Sequence, residues 1–219
     1  MPTLAVLQDD LMAAQTATSA KSIVFDLGGV YFTDGTRLAI DAIASRYGIA
    51  PTEVKHCLTG ELGRRYRAGQ LCAHAFWEQA KSHWHIEAHS DELANIWLAT
   101  YKPIAGTVAL VKRLRAAGHE LLFLSDNTPE RVAYLNDKYG FLAHFSGGIF
   151  SYEAQCLKPD PRLYDLVLQI ASHSPDNCVY IDDKAELLGP ARLLGMRAIA
   201  FQNPPQLERA FQTLGLFAG

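Results

Sequence analysis

The sequence predicts an α/β fold in which a doubly wound parallel sheet carries an all-helical cap subdomain. Short apolar runs alternate with helical patterns from residue 104 onwards, which is the element order that a parallel sheet requires. A separate apolar run at residues 23–25 predicts one further buried strand. Between them, residues 33–103 show helical periodicity and no strand-like run, so we expect an inserted block of helices.

These patterns divide the chain into three predicted parts. Residues 21–32 and 104–219 form the core, which contains the sheet and the helices that cover it. Residues 33–103 form the cap. Residues 1–20 are a predicted N-terminal extension with apolar residues at helical spacing, and we assign no chemistry to them.

Composition excludes several classes of partner. The 219 residues are 49% hydrophobic, which is sufficient for a sizeable core, and the formal net charge of −3 gives no basis for binding nucleic acid or an anionic membrane. No apolar run approaches the roughly 20 residues of a membrane span. The N-terminus lacks a basic region, and the cysteines form no C-x-x-C pair. We expect a cytoplasmic protein with free thiols and a small-molecule substrate, and the oligomeric state is not indicated.

The first predicted strand ends in a group of residues typical of ligand sites. Residues 23–25 read as a strand buried on both faces, and Asp26 stands at its carboxyl end. Ligands of open α/β sheets bind at that edge. Gly28 and Gly29 let the backbone turn sharply there while its amides and carbonyls face a ligand.

The predicted cap follows as a series of helices. A helical pattern extends from Leu38 to Tyr47, and Gly48 is its predicted C-cap. Further helical segments follow between Pro51 and Tyr101. Their tryptophans are the predicted cap core: Trp77, Trp84 and Trp97.

From residue 104 the chain alternates strictly between helix and strand. The predicted strands lie at 121–124, 148–150, 178–181 and 198–201, and the predicted helices at 107–117, 129–139, 159–171, 187–194 and 207–214. Repeated units of this kind imply right-handed crossovers, so the carboxyl ends of all strands share one edge of the sheet. Polar residues from distant parts of the chain are therefore expected together at that edge: Asp26, Ser125, Lys158, Asp182 and Asp183.

Four sequence motifs in this order resemble those of the haloacid dehalogenase-like (HAD) hydrolase superfamily. They are Phe25-Asp26-Leu27-Gly28-Gly29-Val30, Leu124-Ser125, Lys158-Pro159-Asp160-Pro161 and Ile181-Asp182-Asp183. The similarity covers residues 21–215 and is greatest to the branch that has a helical cap after the first strand of a Rossmann-like core. It implies a Mg²⁺-dependent phosphatase that hydrolyses a small, sugar-phosphate-like metabolite through an aspartyl-phosphate intermediate.

The chemistry of the residues agrees with this implication. The Asp26 carboxylate can attack phosphorus, and the adjacent carboxylates of Asp182 and Asp183 offer the hard oxygen ligands that Mg²⁺ prefers. One of that pair is expected to bind the metal directly and the other through water. The resemblance adds the backbone carbonyl of Gly28 as a metal ligand.

Charge also favours a metal ion. The three carboxylates carry −3 against the single charge of Lys158, and a phosphate monoester adds nearly −2. Lys158 is expected to orient Asp26, and Ser125 to donate a hydrogen bond to the phosphoryl oxygens. Predicted substrate contacts complete the site: Gly29, the amides of Asp126 and Asn127, and Arg65 of the basic cap segment.

Three positions depart from the family pattern. Gly28 stands where most of these phosphatases have a second aspartate that protonates the leaving group, so we expect active but slow chemistry. Asp126 occupies a position that is usually asparagine. Gln155 replaces a common glycine, which predicts an altered loop before Lys158.

Two other functions remain open at this stage. A metal-free dehalogenase would use the same nucleophile, although the pair Asp182 and Asp183 argues against it. A catalytically weak or inactive binding protein would account for Gly28 and Asp126. A zinc site at His85 and His89 lacks completing ligands and is not favoured.

Overall fold

A five-stranded parallel sheet forms the centre of the protein in a computed structural model that describes residues 21–217. The helix predicted within residues 1–20 lies outside the described residues. The strands are β1 (Ser22–Phe25), β2 (Glu120–Ser125), β3 (Gly147–Phe150), β4 (Cys178–Asp182) and β5 (Arg197–Ala200). Their spatial order is β3-β2-β1-β4-β5, and every pairing is parallel. The predicted doubly wound sheet is confirmed.

Side-chain alternation along β1 divides the core into two layers. Ile23 and Phe25 pack into the larger layer on one face of the sheet, whereas Val24 packs into the layer on the opposite face. Strands β1 and β4 are buried along their whole length, which explains why both read as continuous apolar runs. The register places Phe25 opposite Ile181, so Asp26 and Asp182 leave neighbouring strands side by side.

Helices fill the remainder of the chain. The inserted segment contains α1 (Gly35–Tyr47), α2 (Pro51–Thr59), α3 (Glu61–Arg67), α4 (Ala73–Trp84) and α5 (Ser90–Ala99). The core contains α6 (Ala105–Ala116), α7 (Pro129–Tyr139), α8 (Ser151–Ala154), α9 (Pro161–Ile170), α10 (Leu188–Leu193) and α11 (Pro204–Thr213). Short 3₁₀ turns add Phe141–His144, Pro175–Asn177 and Ala185–Leu187.

Local capping sets most helix ends where the sequence indicated them. Gly48 ends α1 in the left-handed conformation, with φ 66°. Helix α7 begins at Pro129 because the Thr128 side chain accepts a hydrogen bond from the amide of Arg131. Helix α9 begins two residues later than predicted, because Asp160 rather than Lys158 is its N-cap.

An aromatic cluster holds the helices of the inserted segment together. The rings of Tyr66 and Phe76 stack at 4.5 Å, and Trp77 and Trp97 meet edge to face at 5.8 Å. Trp84 is also buried. This cluster is continuous with the apolar layer on one face of the sheet. The all-helical character of the cap is confirmed, and its boundaries at residues 33 and 103 stay a prediction.

The two chain segments that enter and leave the cap are bonded to each other. The amide of Thr33 donates to the carbonyl of Lys102 at 2.9 Å, and the Thr100 hydroxyl donates to the carbonyl of Gly35 at 2.7 Å. Cap helix α3 also bonds to the core. Its Tyr66 hydroxyl donates to Glu130, and its Arg67 carbonyl accepts from Ser151.

Across residues 21–217, none of the helices combines the length and the apolar character that a membrane crossing requires.

Gly35→Ala is expected to lower the free energy of unfolding by about 1–3 kcal/mol. A Cβ at this position would clash with the ring of Tyr101, which is packed beneath the first turn of α1. Urea unfolding measures the loss. Gly189→Ala is the matched control, because no atom lies within 4 Å of its added methyl group and its backbone is helical. Equal stability of the two variants would contradict the packing described here.

Candidate active site

A cavity of about 670 Å³ lies between the carboxyl edge of the sheet and the cap. Asp26, the first residue after β1, is on its floor and is almost fully buried. Ser125, at the end of β2, and Asp183, just after β4, line the same cavity. The volume falls in the range of small-molecule sites, roughly 300–1,000 Å³.

Lys158 is a buried cation between the carboxylates at this end of the cavity. Its side chain is buried, and its ammonium nitrogen lies 2.9 Å from Asp26 Oδ1 and 2.7 Å from Asp182 Oδ2. The Tyr180 hydroxyl is 3.2 Å from the same nitrogen. One cation therefore holds two carboxylates that leave adjacent strands, and Asp26 is fixed with its second oxygen uninvolved in this pair.

The two consecutive aspartates after β4 differ in their partners. Asp182 Oδ2 accepts from Lys158 and from the Tyr180 hydroxyl, and Asp182 Oδ1 accepts from the amide of Lys184 at 2.9 Å. Both oxygens of Asp182 are therefore engaged by the protein. Asp183 Oδ1, in contrast, is buried and has no hydrogen-bond partner among the described residues.

Electrostatics reflect this difference. Burial raises the pKa of Asp26 to about 7, and the nearby charges of Asp182 and Asp183 add to the rise while Lys158 opposes it. Burial and the charge of Asp182 also raise the pKa of Asp183. Burial disfavours the charge of Asp182 as well, but Lys158 and Tyr180 hold the pKa of that carboxyl below its usual range.

Lys158 keeps its charge in this setting. Burial alone would lower the pKa of its ammonium group, but Asp26, Tyr180 and Asp182 raise that pKa well above its ordinary value.

Gly29 leaves the space that the Asp183 carboxylate occupies. Its backbone is left-handed, with φ 84°, and a Cβ on this residue would collide with the Asp183 carboxylate. The amide of Gly29 donates to the Phe32 carbonyl at 2.8 Å. Its predicted substrate contact is thus not made by that amide. The glycine instead permits a turn that admits the carboxylate.

The donor set fits a hard divalent cation. Oxygens of Asp26, Asp182 and Asp183 all lie within 4.8 Å of one another, and no other such group of His, Cys, Asp or Glu ligands occurs in residues 21–217. The Asp183 oxygen that has no partner among the described residues and the raised pKa of Asp26 both fit a site that binds a cation. Gly28 lines the cavity beside them.

The predicted residues after β2 also reach the cavity. Ser125, Asp126 and Asn127 line it. Asp126 Oδ1 accepts from the amide of Lys158 at 3.1 Å, so this carboxylate is tied to the lysine loop. The amide of Asn127 donates to the Ser151 hydroxyl at 2.9 Å, which removes it from the predicted set of substrate donors.

Arg65 is not among the residues that line this cavity, and the prediction for it needs correction. It is exposed and lines a separate surface pocket of about 340 Å³. Arg64 and Arg67 of the same helix line the cavity that contains Asp26 instead, together with Arg131 of α7. Neighbouring residues of a helix face different directions, and α3 has only two turns.

The other departures from the family pattern have structural answers. Gln155 adopts the left-handed conformation, with φ 55°, which glycine adopts at little cost. Gly28 contributes no side chain, and the same cavity is lined by further carboxyl groups besides Asp26 and Asp183: Asp34, Asp41, Asp126 and Glu186.

Sequence reasoning missed two contributors. Tyr180 lies two residues before Asp182 on β4, and period-two alternation places both side chains on one face of the sheet. Its hydroxyl bonds to Asp182 and Lys158, a role that this spacing could have suggested. Arg131 reads in the sequence as an ordinary arginine of a helical first turn, and only the fold shows it to be buried.

Comparisons with known proteins agree on one family. The family model described as a haloacid dehalogenase-like hydrolase matches residues 20–188. A flavin mononucleotide hydrolase from Arabidopsis thaliana is 29% identical over 53% of this chain and 47% of its own length, so this chain spans about half of that relative.

Two solved structures share the fold. A HAD family enzyme from Bacteroides thetaiotaomicron, in complex with magnesium and inorganic phosphate, superposes with a TM-score of 0.70 at 18% identity, over 84% of this chain and 96% of that one. An L-2-haloacid dehalogenase from Xanthobacter autotrophicus, with chloropropionic acid covalently bound, gives a TM-score of 0.63 at 18% identity, over 89% and 83%.

Lys158→Met is expected to lower the free energy of unfolding by about 3–5 kcal/mol in chelator, because it leaves the buried carboxylates of Asp26 and Asp182 without their cation. Urea unfolding measures the loss. Lys184→Met removes an exposed lysine beside the same aspartates and is the control. If the two lysine variants unfold alike, Lys158 does not hold the site together.

Proposed function

The chain belongs to the haloacid dehalogenase-like hydrolases, and we propose that within this family it is a Mg²⁺-dependent phosphatase acting on a small phosphorylated metabolite. One observation carries the proposal. Asp183, which has a buried oxygen without a partner among the described residues, lies in one carboxylate cluster with Asp26 and Asp182. Asp26 also forms an ion pair with the ammonium group of Lys158. A nucleophile, a cationic clamp and a free metal ligand thus share one cavity.

Asp26 is the proposed nucleophile. Its carboxylate oxygen attacks phosphorus, and the bond from phosphorus to the leaving oxygen breaks, which gives an aspartyl-phosphate and an alcohol. Water then attacks phosphorus, the bond to Asp26 breaks, and inorganic phosphate leaves with the carboxylate restored. Each half-reaction keeps the carboxylate next to Lys158.

Lys158 and Ser125 support this step in the proposal. The ammonium group holds Asp26 in place and offsets the negative charge of the phosphoryl oxygens. Ser125 lines the cavity next to Asp26 and offers a hydroxyl to one of those oxygens.

Asp26, Asp183 and the backbone carbonyl of Gly28 are the groups that would hold a magnesium ion in this proposal. When bound, it supplies charge neutralisation for the phosphoryl oxygens and for the carboxylates around them. Asp182 is the supporting member of its pair, since both of its oxygens are already bonded to the protein.

Departure of the alcohol is the slow point of this scheme. Gly28 has no proton to give, and general acid–base assistance is typically worth about 10²–10⁴-fold in rate. The leaving oxygen takes its proton from water, so esters of more acidic alcohols react faster.

The named relatives are consistent with this choice. The Arabidopsis relative is named for hydrolysis of a phosphate ester, and the Bacteroides enzyme was crystallised with magnesium and phosphate. The Xanthobacter dehalogenase shows that the same fold also carries carbon–halogen chemistry, for which no cation ligand such as Asp183 is needed.

Wild-type protein with Mg²⁺ is expected to hydrolyse p-nitrophenyl phosphate, whose leaving group is acidic, and Asp26→Asn to lower kcat/KM at least about 10³-fold. Release of p-nitrophenolate measures the reaction. A wild-type rate no higher than that of Asp26→Asn would favour a binding role. Turnover of chloroacetate in chelator would instead favour a dehalogenase.

Asp183→Ala is expected to raise the Mg²⁺ dissociation constant about tenfold or more, since it removes a charged ligand with no other partner. Calorimetric titration with MgCl₂ measures binding directly, apart from any activity. His85→Ala, on the cap, is the control and should bind Mg²⁺ as wild type does. Equal effects of both substitutions would overturn the assignment of the metal ligands.

A further inference from the structure

Arg131 is a buried cation without an anion. It comes from the first turn of α7, only 3% of it is exposed, and its Nε atom has no hydrogen-bond partner among the described residues. No carboxylate of residues 21–217 lies within ion-pair distance of it. A charge in this position is costly unless something compensates it.

Two aromatic rings from the cap lie against this guanidinium. Its central carbon lies 4.3 Å from the ring centre of Trp97 and 4.6 Å from that of Tyr101. These cation–π contacts compensate part of the burial cost. The N–H donors lie in the plane of the guanidinium, where they suit a carboxylate or a phosphate.

Arg67 is a second cation on the same cavity wall. One of its terminal nitrogens donates to the Leu58 carbonyl at 2.7 Å, and it too forms no ion pair within the described part of the chain. Burial lowers the pKa of its guanidinium, and the charge of Arg131 adds to this lowering while Asp126 opposes it. Two arginines from separate parts of the fold thus sit near each other.

Two acids near these arginines are already engaged. Asp126 accepts from the amide of Lys158, and Glu130 accepts from the Tyr66 hydroxyl at 2.9 Å. Neither carboxylate forms an ion pair with Arg67 or Arg131. The aspartates around Lys158 and the two arginines are therefore separate features of the cavity. The proposed reaction uses only the aspartates, Lys158 and Ser125.

We propose that Arg67 and Arg131 bind a second anionic group of the substrate, a carboxylate or a phosphate that is not transferred. The substrate class is then a phosphate monoester with two anionic ends and a small organic body. Arg131 also borders a neighbouring cavity of about 520 Å³, so the second group lies where the two spaces meet. This inference rests on the proposed function only in deciding which of the two anionic groups is transferred. The anion site itself does not depend on that function.

Binding to the Asp26→Asn protein with Mg²⁺ tests the site without turnover. D-3-phosphoglycerate is compared with sn-glycerol 1-phosphate, which has the same configuration at its central carbon and a hydroxymethyl group in place of the carboxylate. Fructose 1,6-bisphosphate is compared with fructose 6-phosphate, which lacks the second phosphate. In at least one pair, the doubly anionic compound is expected to bind about tenfold more tightly, because charge-assisted hydrogen bonds are the strong ones. Calorimetry measures each dissociation constant.

Substitution of the arginine tests its part in that preference. Arg131→Gln is expected to reduce the ratio of the two dissociation constants towards one, and Arg131→Lys to restore part of it. Arg65→Gln is the control, because Arg65 is on the same helix as Arg67 but outside the cavity, and it should keep the wild-type ratio. Circular dichroism and thermal unfolding establish that each variant is folded.

Three outcomes decide the inference. A ratio near one for both pairs in the Asp26→Asn protein overturns it, as does a preference that Arg131→Gln leaves intact. An equal loss of affinity for both members of a pair assigns Arg131 a structural role and also overturns it. Failure of phosphatase activity with the preference intact would refute the proposed function alone.

Discussion

The buried ammonium group of Lys158 is the constraint on which the site depends. Asp26 and Asp182 leave adjacent parallel strands, and without a cation between them their burial would be mutually unfavourable. The lysine comes from a loop that is bonded to Asp126, because the backbone amide of Lys158 donates to the Asp126 carboxylate. A single charge therefore fixes three segments that are distant in the chain, and the backbone amide of the same lysine ties a fourth to them.

That arrangement distinguishes Asp182 from Asp183, two adjacent aspartates that look equivalent in the sequence. Tyr180, Lys158 and the Lys184 amide occupy the oxygens of Asp182, which makes this residue part of the scaffold. Asp183 is left with a buried, unpartnered oxygen beside the turn at Gly29. One carboxylate of the pair is thus fully bonded, and the other keeps an oxygen without a partner among the described residues; the difference arises from their neighbours rather than from the aspartates themselves.

Much of the fold follows from local rules. Buried apolar runs mark the strands, and parallel crossovers bring their carboxyl ends to one edge, so the gathering of Asp26, Ser125, Lys158 and the aspartate pair could be predicted. What local rules do not give is orientation on short elements. Arg65 and Arg67 are two residues apart on α3, and only the packing of the cap decides which of them faces the cavity.

The bonds between cap and core make the cavity a shared structure. The rings over Arg131 belong to the cap, whereas the arginine itself belongs to the core, and Tyr66 and Arg67 bond across the same boundary. Any movement that separates the cap from the core must move those rings off Arg131 and expose its guanidinium to water. Opening of the cavity and hydration of this buried arginine are consequently a single event.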